Sequence, residues 1–339
     1  MASWGLIGQE APIARLEAAL QAEKVPHGLL LAGPRGTGKG TAARWMAARL
    51  LCRAGPASPA CGECTPCRHR LAGTAPDLTL LTAEAGEEIR VDSLREMTRQ
   101  VQLTPQESRR RAVIIDPAEA MGIYAANALL KILEEPPGQV LFLLVSHRPD
   151  RLLPTIRSRC QPVRFRPAPA EAVEEWLQTA HELRGDNARL AARMAGGAPG
   201  QALEWARRAV TEERDALVQG LEAVRSGGGE SLVGVAGEWA EADPDSWLPH
   251  FLAWLRDLAR VTVSGGMVGQ QRLVNFDRQD YLAEQARSIG PPAAERLLRA
   301  GERLAEMVSG RTSTRLAIEE FLVWWREPDA MPRFPSDSE

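Results

Sequence analysis

The chain has 339 residues, of which 44% are hydrophobic and 25% charged, an ordinary globular composition long enough for two or three domains. A net charge of −3 excludes a protein that grips nucleic acid over its whole surface, so any such contact is local or comes from an assembly. No run of about 18 apolar residues and no signal-peptide pattern occurs, so the expected location is the cytoplasm, with no membrane partner.

Residues 4–20 read as a short lead-in and a helix, with Ile13, Leu16 and Leu20 on one face, the stripe of a helix that covers a sheet. Val25-Pro26-His27-Gly28 breaks it, and the lone His27 is better explained by packing or a hydrogen bond than by catalysis. Leu29-Leu30-Leu31 opens a buried strand. The loop Gly33-Pro34-Arg35-Gly36-Thr37-Gly38 follows, with Gly33, Gly36 and Gly38 where a backbone must turn its N–H groups inward to form a phosphate cradle. Lys39 stands where it would reach the outer phosphates. The next residue should be Ser or Thr, whose hydroxyl ligates magnesium, but Gly40 stands there. Thr41 comes one position late, rotated by about 100° around the helix, so it is a poor substitute. Magnesium–ATP is therefore not an expected cofactor, although the loop keeps its shape.

Cys52, Cys61, Cys64 and Cys67 fall within 16 residues and suit a tetrahedral four-thiolate zinc site better than disulfides. Filling all four positions with protein ligands leaves none for water, which makes the zinc structural. Arg53, Arg68 and Arg70 can offset its net negative charge. His69 is a less suitably spaced alternative ligand, and an iron–sulfur cluster a weaker alternative to zinc.

Residues 76–81 read as a strand and 91–103 as a helix. Residues 111–116 read as a buried parallel strand ending in Asp116, the form of the acid that orders magnesium beside a P-loop. A hydrolase needs a second acid directly after it to polarise water; here that residue is Pro117, and Glu119 is too far along to replace it. A helix is expected over 118–135, stopped by Pro136-Pro137, and a buried strand over 140–145, ending at Ser146, which would either sense a phosphate or cap a helix. Ser158-Arg159-Cys160 precedes a last strand over 162–165. Residues 1–166 thus form an α/β domain with a mainly parallel sheet. Helices follow: a small set over 167–210 around Gly196-Gly197-Ala198-Pro199-Gly200, then 211–327 with Trp239, Trp247, Trp254, Trp324 and Trp325 as packing groups. Ser226-Gly227-Gly228-Gly229 reads as a loop between helices, and the polar, proline-containing residues 328–339 as a disordered tail.

Several stretches together resemble the AAA+ family, and within it the delta-prime subunits of bacterial DNA polymerase III clamp loaders. They are Gly8-Gln9, the altered P-loop, the four cysteines, Asn127-Ala128-Leu129-Leu130-Lys131, Leu133-Glu134-Glu135-Pro136-Pro137 and Ser158-Arg159-Cys160. The resemblance is strong over 1–166 and weakest beyond 210. It implies an AAA+ P-loop domain with a zinc module at 52–67, a helical lid at 167–210 and an all-α oligomerisation collar at 211–327. It also implies that Arg159 reaches, as an arginine finger, into the ATP site of a neighbouring subunit, with Arg157 as its local competitor. Motor subunits keep a hydroxyl after the P-loop lysine, a second acid and a lid arginine, where this chain has Gly40, Pro117 and Gly200. The implied role is a stator without its own ATPase. Its partners would be the delta and gamma/tau subunits and, through the assembly, the sliding clamp and primed DNA during replication. The other reading is an ATP-hydrolysing motor in which Thr41 and Glu119 stand in for the missing groups.

Overall fold

The computed structural model describes residues 4–84, 87–208, 210–227, 229–266, 268–269, 272–309 and 314–331. The chain divides into two compact units, Met1–Trp176 with Gly196–Gln201, and Leu177–Ala195 with Ala202–Glu339.

The first unit alternates helices and strands: α1 (Glu10–Gln21), β1 (Gly28–Ala32), α2 (Lys39–Leu51), α3 (Thr65–Leu71), β2 (Leu78–Thr82), α4 (Val91–Val101), β3 (Arg111–Asp116), α5 (Ile123–Glu134), β4 (Val140–Ser146), α6 (Pro154–Arg159), β5 (Gln161–Arg164) and the start of α7 (Ala170–His181), whose residues from Leu177 belong to the second unit. The five strands are parallel, in the order β2-β3-β4-β1-β5, with Leu31 opposite Val145 and Leu80 opposite Ile114. The central strands are continuous apolar runs because helices cover both faces. Alternation sends Leu29, Leu31, Ile114 and Leu143 to the α1–α2 side, and Leu30, Val113, Ile115 and Phe142 to the α4–α5 side. Leu31, Ile114, Leu143 and Phe142 are fully buried, each contributing roughly 1.5–3 kcal/mol. This sheet holds the loops at its strand ends, where ligands of open α/β sheets bind.

One expected helix is shorter than its apolar pattern suggests. Instead of running from 118, the chain makes a 3-10 turn at Ala118–Ala120, and α5 starts only at Ile123. Ile89 draws this segment out of helix: its N–H donates to Ala120 O, and its O accepts from Gly122 N–H. Glu88 then lies over Gly122, where a Cβ would collide with its carboxylate.

Among the described residues the second unit holds no strand. Its helices are α8 (Asp186–Met194), α9 (Pro199–Ala206, begun in the first unit), α10 (Val210–Ser226), α11 (Gly229–Glu241), α12 (Pro244–Val263), α13 (Gln279–Ile289), α14 (Pro291–Ser309) and α15 (Thr314–Arg326). Aromatic rings form its core: Trp239 stacks on Trp247 at 4.9 Å, and Phe251 meets Phe321 edge-on at 4.7 Å. The buried Trp325 Nε1–H donates to Leu221 O at 2.9 Å, and Trp254 Nε1–H to Gln285 Oε1 at 3.2 Å, so neither indole is left unpaired. Buried Arg214 forks onto Asp277 at 2.6 and 2.9 Å. Past α15, Pro328–Ala330 make a 3-10 turn and Met331 is buried, whereas 332–339 lie outside the described residues, as does Gly228 of the expected glycine loop.

Candidate functional site

The P-loop forms as a strand–loop–helix turn. Gly33, Gly36 and Gly38 all have positive φ (153°, 77° and 91°), a region L side chains rarely adopt. Gly36 also has a neighbour that leaves it no room. Its carbonyl accepts the Gly200 N–H at 3.0 Å, and a Cβ on it would lie 3.1 Å from Ala198. The turn containing Gly200 is thus seated on the loop. A side chain at 200 would start 3.3 Å from the Gly36 carbonyl.

Lys39 is 2% exposed, and its ammonium donates to Pro34 O, which also accepts the Thr37 hydroxyl at 2.9 Å. The lysine is spent on its own loop. Burial lowers its pKa to about 8, against the attraction of Asp116 and Glu119.

Asp116 is brought beside Gly40. A Cβ on Gly40 would lie 2.7 Å from Asp116 Oδ2 and 3.1 Å from an Arg44 guanidinium nitrogen, so the acid and the arginine occupy the space of the missing side chain. Burial raises the Asp116 pKa, offset in part by His147, Arg44 and Lys39. Thr41, one residue on, is half-buried in the first turn of α2. Glu119 Oε1 accepts the backbone N–H groups of His147 at 2.7 Å and Arg148 at 3.0 Å, so this carboxylate clips the end of β4. Ser146 Oγ, His147 Nδ1 and Glu119 Oε2, all buried and nearby, have no partner among the described residues. The His147 pKa is lowered by burial and then by Lys39.

The four cysteines converge. Cys52 ends α2, Cys64 caps α3 and Cys67 lies within it. Their sulfurs all lie within 4.8 Å of one another, with Cys52 Sγ 3.6 Å from Cys61 Sγ and 4.0 Å from Cys64 Sγ. Four sulfurs about 2.3 Å from one ion stand about 3.8 Å apart at the corners of a tetrahedron, so the cluster can hold a metal such as zinc. Backbone N–H groups at Cys64 and Glu63 pull the Cys61 thiol down to about 6, and burial pushes Cys67 up to about 12. Among the described residues the converging donor atoms are those of the four cysteines and do not include His69, whose Nδ1 pairs with Glu107 at 2.8 Å. Buried Arg49, which carries no sequence signal, holds the connecting loop. It donates to Pro56 O at 3.1 Å and Ala57 O at 2.8 Å, and pairs with Glu17 at 3.0 Å.

Arg159 ends α6, with its side chain 34% exposed. Nη2 donates to Glu134 Oε1 at 2.6 Å and Nη1 to Thr155 O at 3.1 Å. Cys160 beside it is buried, its thiol pushed up to about 12, and serves as an anchor rather than a nucleophile. Arg157 is exposed, without a side-chain partner among the described residues.

A glycine loop between a buried parallel strand and a helix, with an acid at the tip of β3, is the arrangement of a P-loop protein. A family model described as DNA polymerase III, delta subunit, matches residues 8–169. The chain is 31% identical to DNA polymerase III subunit delta' of Escherichia coli over 286 residues, 84% of this chain and 83% of that one. It is 44% identical over 200 residues to subunit delta' of Pseudomonas aeruginosa, 58% of this chain and 60% of that protein. It is 38% identical over 200 residues to subunit gamma/tau of Mycobacterium tuberculosis, 57% of this chain but 34% of that protein. These last two matches span less than two thirds of those relatives' lengths. A gamma subunit-related protein of Thermotoga maritima aligns over 94% of this chain and 99% of its own, at 18% identity and a TM-score of 0.43. The chain belongs to the delta' subunits of DNA polymerase III, a clamp-loader family of DNA replication.

Proposed function

We propose that this subunit acts as a stator of the clamp loader: it hydrolyses no ATP itself and supplies Arg159 to the ATP site of a neighbouring gamma/tau motor subunit. The observation that carries the reading is the filled P-loop. Asp116 and Arg44 occupy the space of the side chain missing at Gly40, Lys39 is bonded to Pro34 O, and Pro117 replaces the second acid. Glu119, the alternative base, already accepts two backbone N–H groups. No hydroxyl follows Lys39 to order magnesium, and Glu119 is held at the end of β4 by one of its two oxygens. Gly33, Gly36, Gly38, Lys39, Thr41 and Asp116 then serve as scaffold. Residues 167–210 act as the lid and 211–327 as the oligomerisation collar. The four cysteines hold structural zinc, which ties the end of α2 to α3 and takes no part in the chemistry.

Arg159 does its work in trans. A guanidinium placed against a transferring phosphoryl group stabilises the charge that develops on it, an effect worth about 10³–10⁵ in rate. Through the pentameric assembly the subunit works in the cytoplasm with the delta and gamma/tau subunits to place the sliding clamp on primed DNA. Steady-state ATP hydrolysis by the purified chain tests the first half of this reading. We expect turnover no higher than that of Lys39→Ala. Turnover that Lys39→Ala abolishes would instead make the chain a motor with Thr41 and Glu119 in the missing roles.

A further inference from the structure

Arg159 is a long side chain at the end of a six-residue helix, and such a group loses much rotamer freedom when it is held in one pose. Something must offset that loss before the neighbour's ATP arrives. The holder visible in this chain is Glu134, whose carboxylate oxygen lies 2.6 Å from Arg159 Nη2. Each member of this pair stands next to a core anchor. Leu133 and Cys160 are both buried, and both pack at the start of β1, where a Cβ on Gly28 would lie 3.6 Å from Leu133 Cδ2 and 3.1 Å from Cys160 Sγ. Pro136 and Pro137 end the chain's helical path just after Glu134, which fixes where α5 stops. The two Cα positions are therefore set by the core of the first unit, while the side chains meet at its surface.

We propose that Glu134 is a positioning residue for Arg159, an inference that rests on the finger assignment above. Glu134 and Thr155 O hold one part of the guanidinium, and Ser158 Oγ approaches Nη1 at a marginal 3.5 Å. Of the five N–H donors of a guanidinium, the Nε–H and one on Nη2 keep no partner among the described residues. These remain for an oxyanion presented from outside. Glu134 thus pre-orders the group without consuming the donors that would bind phosphate. Stability is not its purpose, since an ion pair this exposed contributes little to folding.

The test uses the loader reconstituted with its motor subunits and isolated intact, comparing wild type, Glu134→Ala, Glu134→Gln, Arg159→Ala and the Glu134→Ala/Arg159→Ala double variant. Glu134→Ala is expected to lower kcat for ATP about tenfold at the site that receives Arg159, with KM unchanged. Glu134→Gln, which keeps an acceptor for Nη2, recovers turnover to within about twofold. In the Arg159→Ala background the Glu134 substitution has no further effect. Wild-type or raised turnover in Glu134→Ala beside a large loss in Arg159→Ala would overturn the positioning role alone. A Glu134 effect that persists without Arg159 would overturn it as well. Unchanged turnover in Arg159→Ala would overturn the finger assignment and this inference with it.

Discussion

Stripping metal from the four-cysteine cluster should loosen the first unit, and the size of the effect follows from where the ligands sit. Cys52 closes α2, the helix that begins at the P-loop, and Cys67 is buried inside α3. Without an ion, sulfurs 3.6 and 4.0 Å apart lose their common partner, and the thiolate set becomes mutually repulsive. Structural zinc of this kind contributes roughly 10–16 kcal/mol of apparent binding free energy. Most of that is lost locally, because Arg49 and the α2–α3 packing still hold the module's frame. If about 3 kcal/mol is coupled to global unfolding, Tm falls by about 6–12 °C for a unit of this size. The assay is metal analysis of protein purified without chelator, followed by calorimetry and limited proteolysis before and after chelation. We expect about one zinc per chain, a lowered Tm and new cleavage between residues 52 and 77. Protein with no bound metal, or chelation that leaves both Tm and cleavage unchanged, would refute the four-thiolate centre.

Arg49→Ala should speed zinc loss to a competing chelator by about 10–100-fold while leaving the stoichiometry at one, since it frees the loop that carries the chain from Cys52 to Cys61; an unchanged rate would show that the loop needs no clamp. Lys39 predicts a pH dependence. Its folded pKa of about 8 lies below the ordinary 10.5, so between these values the unfolded chain binds the extra proton and stability rises with pH. The rise attributable to Lys39 is about 3 kcal/mol over the whole range, of which about 2 kcal/mol falls between pH 8 and pH 10, and Lys39→Met should remove it in denaturant titrations at those two pH values; an identical slope in both proteins would contradict the buried ammonium.

The sheet was legible because its strands are local apolar runs: residues 111–116 and the 140–146 run need no distant partner to be recognised. The convergence of the four cysteines was legible because cysteine spacing is a local signature. Contacts between residues far apart in sequence were not. Nothing near Gly122 announces that Ile89 will pull it out of helix, and nothing near Gly36 announces Gly200. Gly40 and Pro117 read as missing groups, but the sequence is silent on Asp116 and Arg44 filling the space. Glu119 reads as a spare acid until its two backbone donors are seen, and Glu134 as one acid in a family signature until it meets Arg159, 25 residues on.

The central claim is that the chemistry of this subunit lies at Arg159 and not at its own P-loop. ATP turnover of the reconstituted loader carrying Arg159→Ala, with Arg157→Ala as the companion variant, tests it most directly. The account predicts a loss of about 10³–10⁵ at the site this subunit faces, an intact assembly, and wild-type turnover in Arg157→Ala. Undiminished turnover in Arg159→Ala, or the same loss in Arg157→Ala, would contradict it.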